Sequence, residues 1–177
     1  YKMLQQQSLE VALTHDSIVL DTAYFTVDIA NKAGHKFPSG YPSRRAVVEF
    51  TVTGENGETL FQSGALDETY EAVGIDAVYE PHYDVIRSED QVQIYEQVVA
   101  NVQDEFSTIL VQGAYSLKDN RLPPIGLTTN HEVYDTTLIA GKALQDSNFN
   151  QFEGIEGSGK DQIQYRVPID GYVGNVQ

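Results

Sequence analysis

Four histidines carry the side chains best suited to metal ligation in this chain, since it contains no cysteine. They are His15, His35, His82 and His131, and the separations of 20, 47 and 49 residues between them match no metal-binding motif. Each is therefore either a surface or hydrogen-bonded histidine, or a single ligand whose partners come from elsewhere. The lack of cysteine also excludes disulfides, thiolate sites and a C-x-x-C-H haem attachment within these residues.

The densest group of functional side chains is the stretch GHKFPSGYPSRR, residues 34–45, which joins His35 to the Arg44-Arg45 pair. Its two prolines fix φ and force an extended residue before each of them, so the stretch predicts a rigid loop. In one interpretation the loop seals an end of the fold, and its arginines pair with acids. In the other it presents an imidazole and two guanidinium groups to a partner that carries carboxylates. Composition alone leaves both open.

Carboxylates are abundant, with 26 acidic residues against 11 basic ones and a formal net charge of −15. This balance argues against nucleic-acid binding, which requires a basic surface. The acids that could join backbone carbonyls around Ca²⁺ are Asp67, Glu68, Asp76 and Glu80. They show no D-x-[DN]-x-[DN]-G pattern, and a solvated acidic loop is the alternative. Motifs for nucleophile elbows, phosphate loops, dinucleotide binding and zinc proteases are missing, so the sequence indicates no enzyme class.

Period-2 alternation of apolar residues predicts the strands that position these side chains. The predicted strands are Glu10–Thr14, Ile18–Leu20, Thr22–Ile29, Ala46–Val52, Thr59–Ser63, Gln91–Ala100, Thr108–Tyr115, Thr136–Ala140 and Gln162–Ile169. Gln91–Ala100 also fits one face of a helix, but its β-branched residues favour a strand. The Asn56-Gly57 pair predicts a tight hairpin before Thr59–Ser63.

These short strands, without a long amphipathic helix, predict an all-β fold: an antiparallel β-sandwich of jelly-roll or immunoglobulin-like type. Two long irregular loops, residues 66–87 and 118–134, interrupt it, and loops of this length are usually functional. A length of 177 residues fits one domain, and residues 1–9 could be the tail of a preceding helix. No apolar run is long enough to span a bilayer, and no signal peptide is visible.

Three long stretches in a fixed order resemble the C-terminal region of a group of bacterial multihaem c-type cytochromes. They are GHKFPSGYPSRRAVVEFTV (34–52), YEPHYDVIRSEDQVQIYEQVV (79–99) and YSLKDNRLPPIG (115–126), and QIQYRV near the end is also similar. Val47 occupies a position that is often tryptophan in the family, a departure that concerns packing. The resemblance implies a cysteine-free β domain that is the trailing part of a longer periplasmic or extracellular bacterial electron-transfer protein.

In such a protein the covalently bound haem c groups lie upstream of this chain. The resemblance implies a non-catalytic role: docking on and shielding the haem-bearing domain, or mediating contacts with redox partner proteins. His35 and His82 lie inside the matching stretches and are the candidate distal haem ligands. Arg44 and Arg45 are the candidate partners of haem propionates. A carbohydrate- or Ca²⁺-binding β-sandwich module is the alternative function, which rests on fold class alone.

Overall fold

The structure is a computed structural model that describes residues 6–40, 44–75, 77–107 and 109–177. This part of the chain contains thirteen strands: β1 Leu9–Val19, β2 Thr22–Asn31, β3 Ala46–Val47, β4 Phe50–Thr53, β5 Thr59–Ser63, β6 Val85–Ile86, β7 Ile94–Tyr95, β8 Gln97–Ala100, β9 Phe106–Ser107, β10 Tyr115–Asp119, β11 Gln151–Phe152, β12 Ile155–Glu156 and β13 Lys160–Pro168. Short 3-10 helices occur at Leu110–Gln112, Tyr134–Thr136 and Gly141–Gln145. The predicted all-β, sandwich-like fold class with little helix is confirmed.

Two compact units are distinguishable in the chain. The first comprises Asp28–Ala46 and Tyr95–Gln162 together with the N-terminal residues up to Ala12. The second comprises Leu13–Val27, Val47–Ile94 and Ile163–Gln177. Strands β1, β2 and β13 therefore contribute residues to both units.

The largest sheet has four strands in the order β1-β2-β13-β6. Alternate residues of its two central strands are buried, as the period-2 pattern predicts: Ala23, Phe25, Val27 and Ile29 in β2, and Ile163, Tyr165 and Val167 in β13. β6 pairs in parallel with β13. β1 is an edge strand whose residues after Leu9 are all exposed, and it merges the two strands predicted at Glu10–Thr14 and Ile18–Leu20.

Aromatic rings form the core of the second unit. Tyr165 stacks on Phe50 with ring centroids 3.9 Å apart and an interplanar angle of 20°. Phe25 and Phe61 pack edge-on against Phe50, and His15 stacks on Phe25. β4 and β5 supply two of these rings and form the predicted antiparallel hairpin across the Asn-Gly turn. The aromatic pairs bury large apolar areas, which is what stabilises this unit.

In the first unit, β8 pairs with both β10 and β9 in a three-stranded antiparallel sheet, and β11 and β12 form a two-residue hairpin. Gln91–Ala100 contains strands β7 and β8, so the prediction of a strand rather than a helix is confirmed. The predicted Ala46–Val52 strand is split into β3 and β4. Among the described residues, no helix is long and apolar enough to cross a membrane.

Two predicted strands, Thr108–Tyr115 and Thr136–Ala140, are wrong. The first range contains the 3-10 helix Leu110–Gln112, and only its last residue belongs to a strand, β10. In the second, Thr136 ends a 3-10 helix and only Ala140 forms a β-bridge, with Asp119. Thr108 itself lies outside the described residues. Local hydrogen bonds bend the chain: the Ile109 N–H donates to Ser107 Oγ at 3.1 Å, and two threonine hydroxyls donate to the Val133 carbonyl. Hydroxyl side chains compete with strand pairing in this way. Residues 1–5 of the helix tail predicted at residues 1–9 lie outside the described residues; residues 6 and 7 are helical, and Leu9 begins β1.

Candidate functional site

The first and third of the long stretches meet in the first unit. Phe37 and Leu122 form an antiparallel bridge, and their backbone N–H···O distances are 2.9 and 2.8 Å. The peptide bond between Phe37 and Pro38 is cis. Tyr41, Pro42 and Ser43 lie outside the described residues. The loop that carries His35 is therefore fixed to the loop that follows β10.

Asn31, the last residue of β2, is fully buried and hydrogen-bonds to both loops. Its Nδ2 donates to the backbone carbonyls of His35, Leu122 and Pro123 at 2.8, 2.9 and 3.1 Å. Its Oδ1 accepts the Ala33 N–H at 2.8 Å. A buried amide that uses both its donors and its acceptor specifies the position of each loop, because any shift would leave a polar group unpaired.

Beside this bridge, two cations share one carboxylate. Asp119 ends β10, and its side chain is 3% exposed. It accepts hydrogen bonds from Lys36 Nζ at 2.9 Å and from Arg121 Nε and Nη2 at 2.9 and 2.6 Å. Lys36 also donates to the Leu138 carbonyl at 3.0 Å, and Arg121 Nη1 to the Gly40 carbonyl at 3.4 Å. Two positive charges against one negative charge leave this cluster with a net positive charge.

A pocket of about 560 Å³ opens beside the cluster. It is lined by Gly34, His35, Lys36, Arg121, Pro124, Ile125, Gly126, Leu127, His131, Val133 and Thr137. None of these described lining residues is acidic, although the whole chain has a net charge of −15. Burial lowers the pKa of the Lys36 ammonium, and the neighbouring Asp119 carboxylate opposes that shift. The pocket therefore combines apolar walls with cations at its base.

Two of the four histidines, His35 and His131, line this pocket, and hydrogen bonds define their neutral tautomers. His35 is exposed, and its Nδ1 lies 2.9 Å from the Lys36 carbonyl oxygen. Because a carbonyl only accepts, Nδ1 carries the proton and Nε2 presents a lone pair. In His131 the Val133 N–H donates to Nδ1 at 3.3 Å, so the proton of the neutral ring is on Nε2. One imidazole thus offers a ligand atom and the other a donor.

His82, the second candidate haem ligand, lies in the second unit and is only 5% exposed. Its Nδ1 is 3.0 Å from Gln93 Nε2, and the Oε1 of the same amide accepts the Tyr83 N–H at 2.9 Å. Gln93 is also fully buried. His82 is not among the residues that line the His35 pocket.

Arg44 and Arg45, the candidate propionate partners, are both exposed, and neither lines the pocket. Arg44 Nη1 donates to the Ser39 carbonyl at 3.2 Å. The cations at the pocket are instead Lys36 and Arg121. Both residues lie inside the matching stretches, but the sequence predicts no role for them. Their common partner, Asp119, is 83 residues from Lys36 and two residues from Arg121, and this spacing is not a recognisable pattern.

The Ca²⁺ candidates lie in the second unit, except for Asp76, which is outside the described residues. Asp67 and Glu68 are exposed. Asp67 Oδ1 accepts the Thr69 N–H and hydroxyl, both at 2.7 Å, and these bonds with Thr69 lower the pKa of Asp67. Glu80 is buried and accepts the Tyr83 hydroxyl at 2.8 Å. Among the residues described, Asp67, Glu68 and Glu80 do not belong to any group of three potential ligands within 4.8 Å.

The polar run at the end of β10, which the sequence predicts to be part of an irregular loop, is buried. Lys118, Asp119 and Asn120 are each at most 2% exposed. Lys118 Nζ donates to Glu96 Oε1 at 2.9 Å, and Asn120 Oδ1 accepts the Glu96 N–H at 2.9 Å. Buried charges need such partners, which here come from Glu96, the residue before β8. This network holds the chain segment that leads into Arg121.

The site can bind and position a ligand: it offers one imidazole lone pair, several cationic donors and an apolar surface. Comparison of the chain with protein-family models, with curated proteins and with solved structures finds no match. A function for the chain is therefore argued from the residues around the His35 pocket and from the stretches that build it.

Proposed function

We propose that this chain is a non-catalytic accessory domain of a multihaem c-type cytochrome, and that it docks on the haem-bearing domain through the His35 pocket. One observation carries the proposal: the exposed His35 ring donates its Nδ1–H to the Lys36 carbonyl and presents Nε2. Histidines that bind metals usually donate their other ring N–H to a backbone carbonyl or carboxylate, which fixes the tautomer and the ring orientation. His35 has this arrangement.

The rigidity of the loop supports the same role. The Phe37–Leu122 bridge and the Asn31 amide hold the backbone on both sides of His35. A ligand on a fixed loop loses little conformational freedom when it binds, so more of the interaction energy appears as affinity.

The walls of the pocket suit the edge of a porphyrin. Ile125 and Val133 are 66% and 43% exposed, and they lie on the same pocket as His35. Exposed apolar residues that share a concave surface with a few polar groups are typical of cofactor and partner sites. Haem c, in this proposal, belongs to the upstream part of the protein, and the compartment would be periplasmic or extracellular.

Of the two histidines in the matching stretches, the proposal uses His35. His82 is 5% exposed and its Nδ1 lies 3.0 Å from Gln93 Nε2, so its ring is much less accessible than that of the exposed His35. Arg44 and Arg45 are exposed and close in sequence to the docking loop, and their pairing with propionates stays a prediction. The role of the chain would be to complete or shield a haem site and to position the haem domain for its redox partners.

Binding to a ferric c-type haem peptide tests the proposal. In such a peptide the haem is covalently bound and one axial position is open. Titration with the wild-type chain should convert its spectrum to the low-spin form with two histidine ligands, as added imidazole does. His35→Ala should abolish the conversion, whereas His15→Ala, which alters an exposed histidine of the second unit, should retain it. Equal conversion by His35→Ala and wild type, or no conversion by wild type, would contradict the proposal. The same spectra of full-length His35→Ala and His82→Ala proteins compare the two candidates directly.

A further inference from the structure

The pocket beside His35 contains more hydrogen-bond donors than the described protein can satisfy. The guanidinium group of Arg121 has five N–H donors and makes three hydrogen bonds, two with Asp119 and one with the Gly40 carbonyl. The Lys36 ammonium has three donors and makes two bonds. Three N–H groups on these cations therefore have no acceptor among the residues described, and the Nε2–H of neutral His131 adds a fourth donor.

The net charge of the pocket, like its unused donors, favours an anionic ligand. Arg121 and Lys36 are 13% and 8% exposed at their side chains, and together they face the single charge of Asp119. The pocket is thus a cationic site in a strongly acidic protein, and no acid lines its described surface. A cation removed from water is stabilised by a second anion, because the local dielectric constant is low.

The remaining walls define what the anion is attached to. Pro124, Ile125, Leu127 and Val133 are apolar and line the same pocket. A bare inorganic anion would leave these side chains in contact with water. An anion that carries an apolar group would cover them, and the volume of about 560 Å³ is within the usual range for small-ligand sites.

We propose that this pocket binds a carboxylate carried on an apolar body, with Arg121 and Lys36 donating to the carboxylate oxygens and His131 Nε2–H as a further donor. Arginine suits this role because its planar fork matches the two oxygens of a carboxylate. Two sources share this chemistry: a haem propionate of the neighbouring domain and a free carboxylic acid. Binding of a haem propionate rests on the proposed function, because it requires a neighbouring haem domain. Binding of a free carboxylic acid does not, because the donors are present without iron.

The experiment uses octanoate as the probe and octanol as its uncharged match. Amide chemical shifts of the ¹⁵N-labelled chain report binding, and octanoate should shift the amide signals of residues 34–36 and 125–127. Octanol should bind at least about tenfold more weakly, since charge-assisted hydrogen bonds are roughly twice as strong as neutral ones. Arg121→Gln should weaken octanoate about 10- to 100-fold. His131→Phe, which leaves the Asp119 cluster intact, should weaken it several-fold, and Arg87→Gln, an exposed arginine of the second unit, should not change it.

The haem peptide and its propionate dimethyl ester distinguish the two sources. Tighter binding of the free-acid form, with the difference lost in Arg121→Gln, assigns the site to haem propionates. Equal binding of both forms, with octanoate still bound, assigns it to a free carboxylic acid. Octanoate that binds no better than octanol, together with equal binding of both haem forms, would overturn the inference. Low-spin conversion through His35 could still be observed in that case, and the proposed function would stand. The opposite result, octanoate binding without low-spin conversion, would reject the proposed function but not the carboxylate site.

Discussion

The ammonium group of Lys118 lies 2.9 Å from the carboxylate of Glu96, and both side chains are almost completely buried, at 2% and 7% exposure. This pair joins β10 to the residue that precedes β8. Removing two charges from water costs free energy that their mutual attraction only offsets when the geometry is good. The pair therefore makes the segment leading to Asp119 and Arg121 sensitive to the loss of either partner.

Lys118→Ala should lower the free energy of unfolding by about 3–5 kcal/mol, because it leaves the Glu96 carboxylate buried and unpaired. Urea unfolding followed by circular dichroism measures the change. Lys142→Ala, at an exposed lysine of the same unit, is the control and should change stability by no more than about 0.5 kcal/mol. Lys118→Met combined with Glu96→Leu should lose less than Lys118→Ala alone. A single-variant loss below about 1 kcal/mol would show that the pair is not buried in solution.

Asn31→Ala should lower the free energy of unfolding by about 3 kcal/mol, since it leaves buried carbonyls on two loops without a donor. It should also weaken octanoate binding, because His35 and the Pro123 segment lose their common anchor. Asn130→Ala is the matched control at an exposed asparagine. Loss of stability with unchanged octanoate affinity would mean that the amide stabilises the fold without positioning the pocket.

Gly64 approaches a neighbouring backbone too closely for any side chain. Its φ is +75°, and an added Cβ would overlap the Val48 carbonyl oxygen. Gly154 has nearly the same φ, +76°, with nothing within 4 Å of the added Cβ. Gly154→Ala should therefore cost about 1 kcal/mol from backbone strain alone, and Gly64→Ala about 3 kcal/mol or more. Thermal unfolding of the two variants separates the strain from the overlap, and equal losses would refute the close approach.

Two buried tyrosines differ in the environment of their hydroxyl groups. The Tyr95 hydroxyl donates to Asp161 Oδ2 at 2.6 Å, whereas the Tyr165 hydroxyl has no hydrogen-bond partner among the described residues. Tyr95→Phe should lower the free energy of unfolding by about 2 kcal/mol, because it removes a bond to a charged acceptor. Tyr165→Phe should be neutral or stabilising. Urea unfolding at pH 7 gives both values, and a loss of more than about 1 kcal/mol in Tyr165→Phe would contradict this assignment.

Stability should fall in alkaline solution. Burial raises the pKa of Tyr165, and burial together with the hydrogen bond to Glu80 raises the pKa of Tyr83. In the unfolded chain these phenols ionise near pH 10, so above that pH the folded state binds more protons. Their contribution is therefore fully present below about pH 10 and is lost as the pH rises further. Urea unfolding between pH 8 and pH 11 should show a shallower fall in Tyr165→Phe than in wild type. The lowered pKa of Lys36 makes stability rise with pH, which opposes the effect of the tyrosines. Lys36 is present in both proteins, so its contribution cancels in the comparison.

The alternation of apolar and polar residues predicted the strands that have one buried and one more exposed face. β2 and β13 alternate apolar and polar residues, and each buries its apolar face as expected. The sequence pattern did not predict that Lys118, Asp119 and Asn120 are buried. A charged run is normally solvated, and here burial is favourable only because partners distant in sequence pair with these side chains. The pocket was unpredictable for the same reason: His35 and His131 share no motif and meet only through the bridge and the ion cluster. Serine and threonine hydroxyls, whose local hydrogen bonds oppose strand pairing, account for the two wrong strands.

The large sequence separation of the Asn31 and Lys36 hydrogen bonds has a consequence for the order of folding. Asn31 binds a carbonyl 91 residues later, and Lys36 binds one 102 residues later. Closing so long a loop costs chain entropy before any contact repays it, and contacts of high sequence separation form slowly. A nascent chain has no pocket until Leu138 has left the ribosome. Ligand binding at His35 therefore reports that these long-range contacts of the first unit have formed.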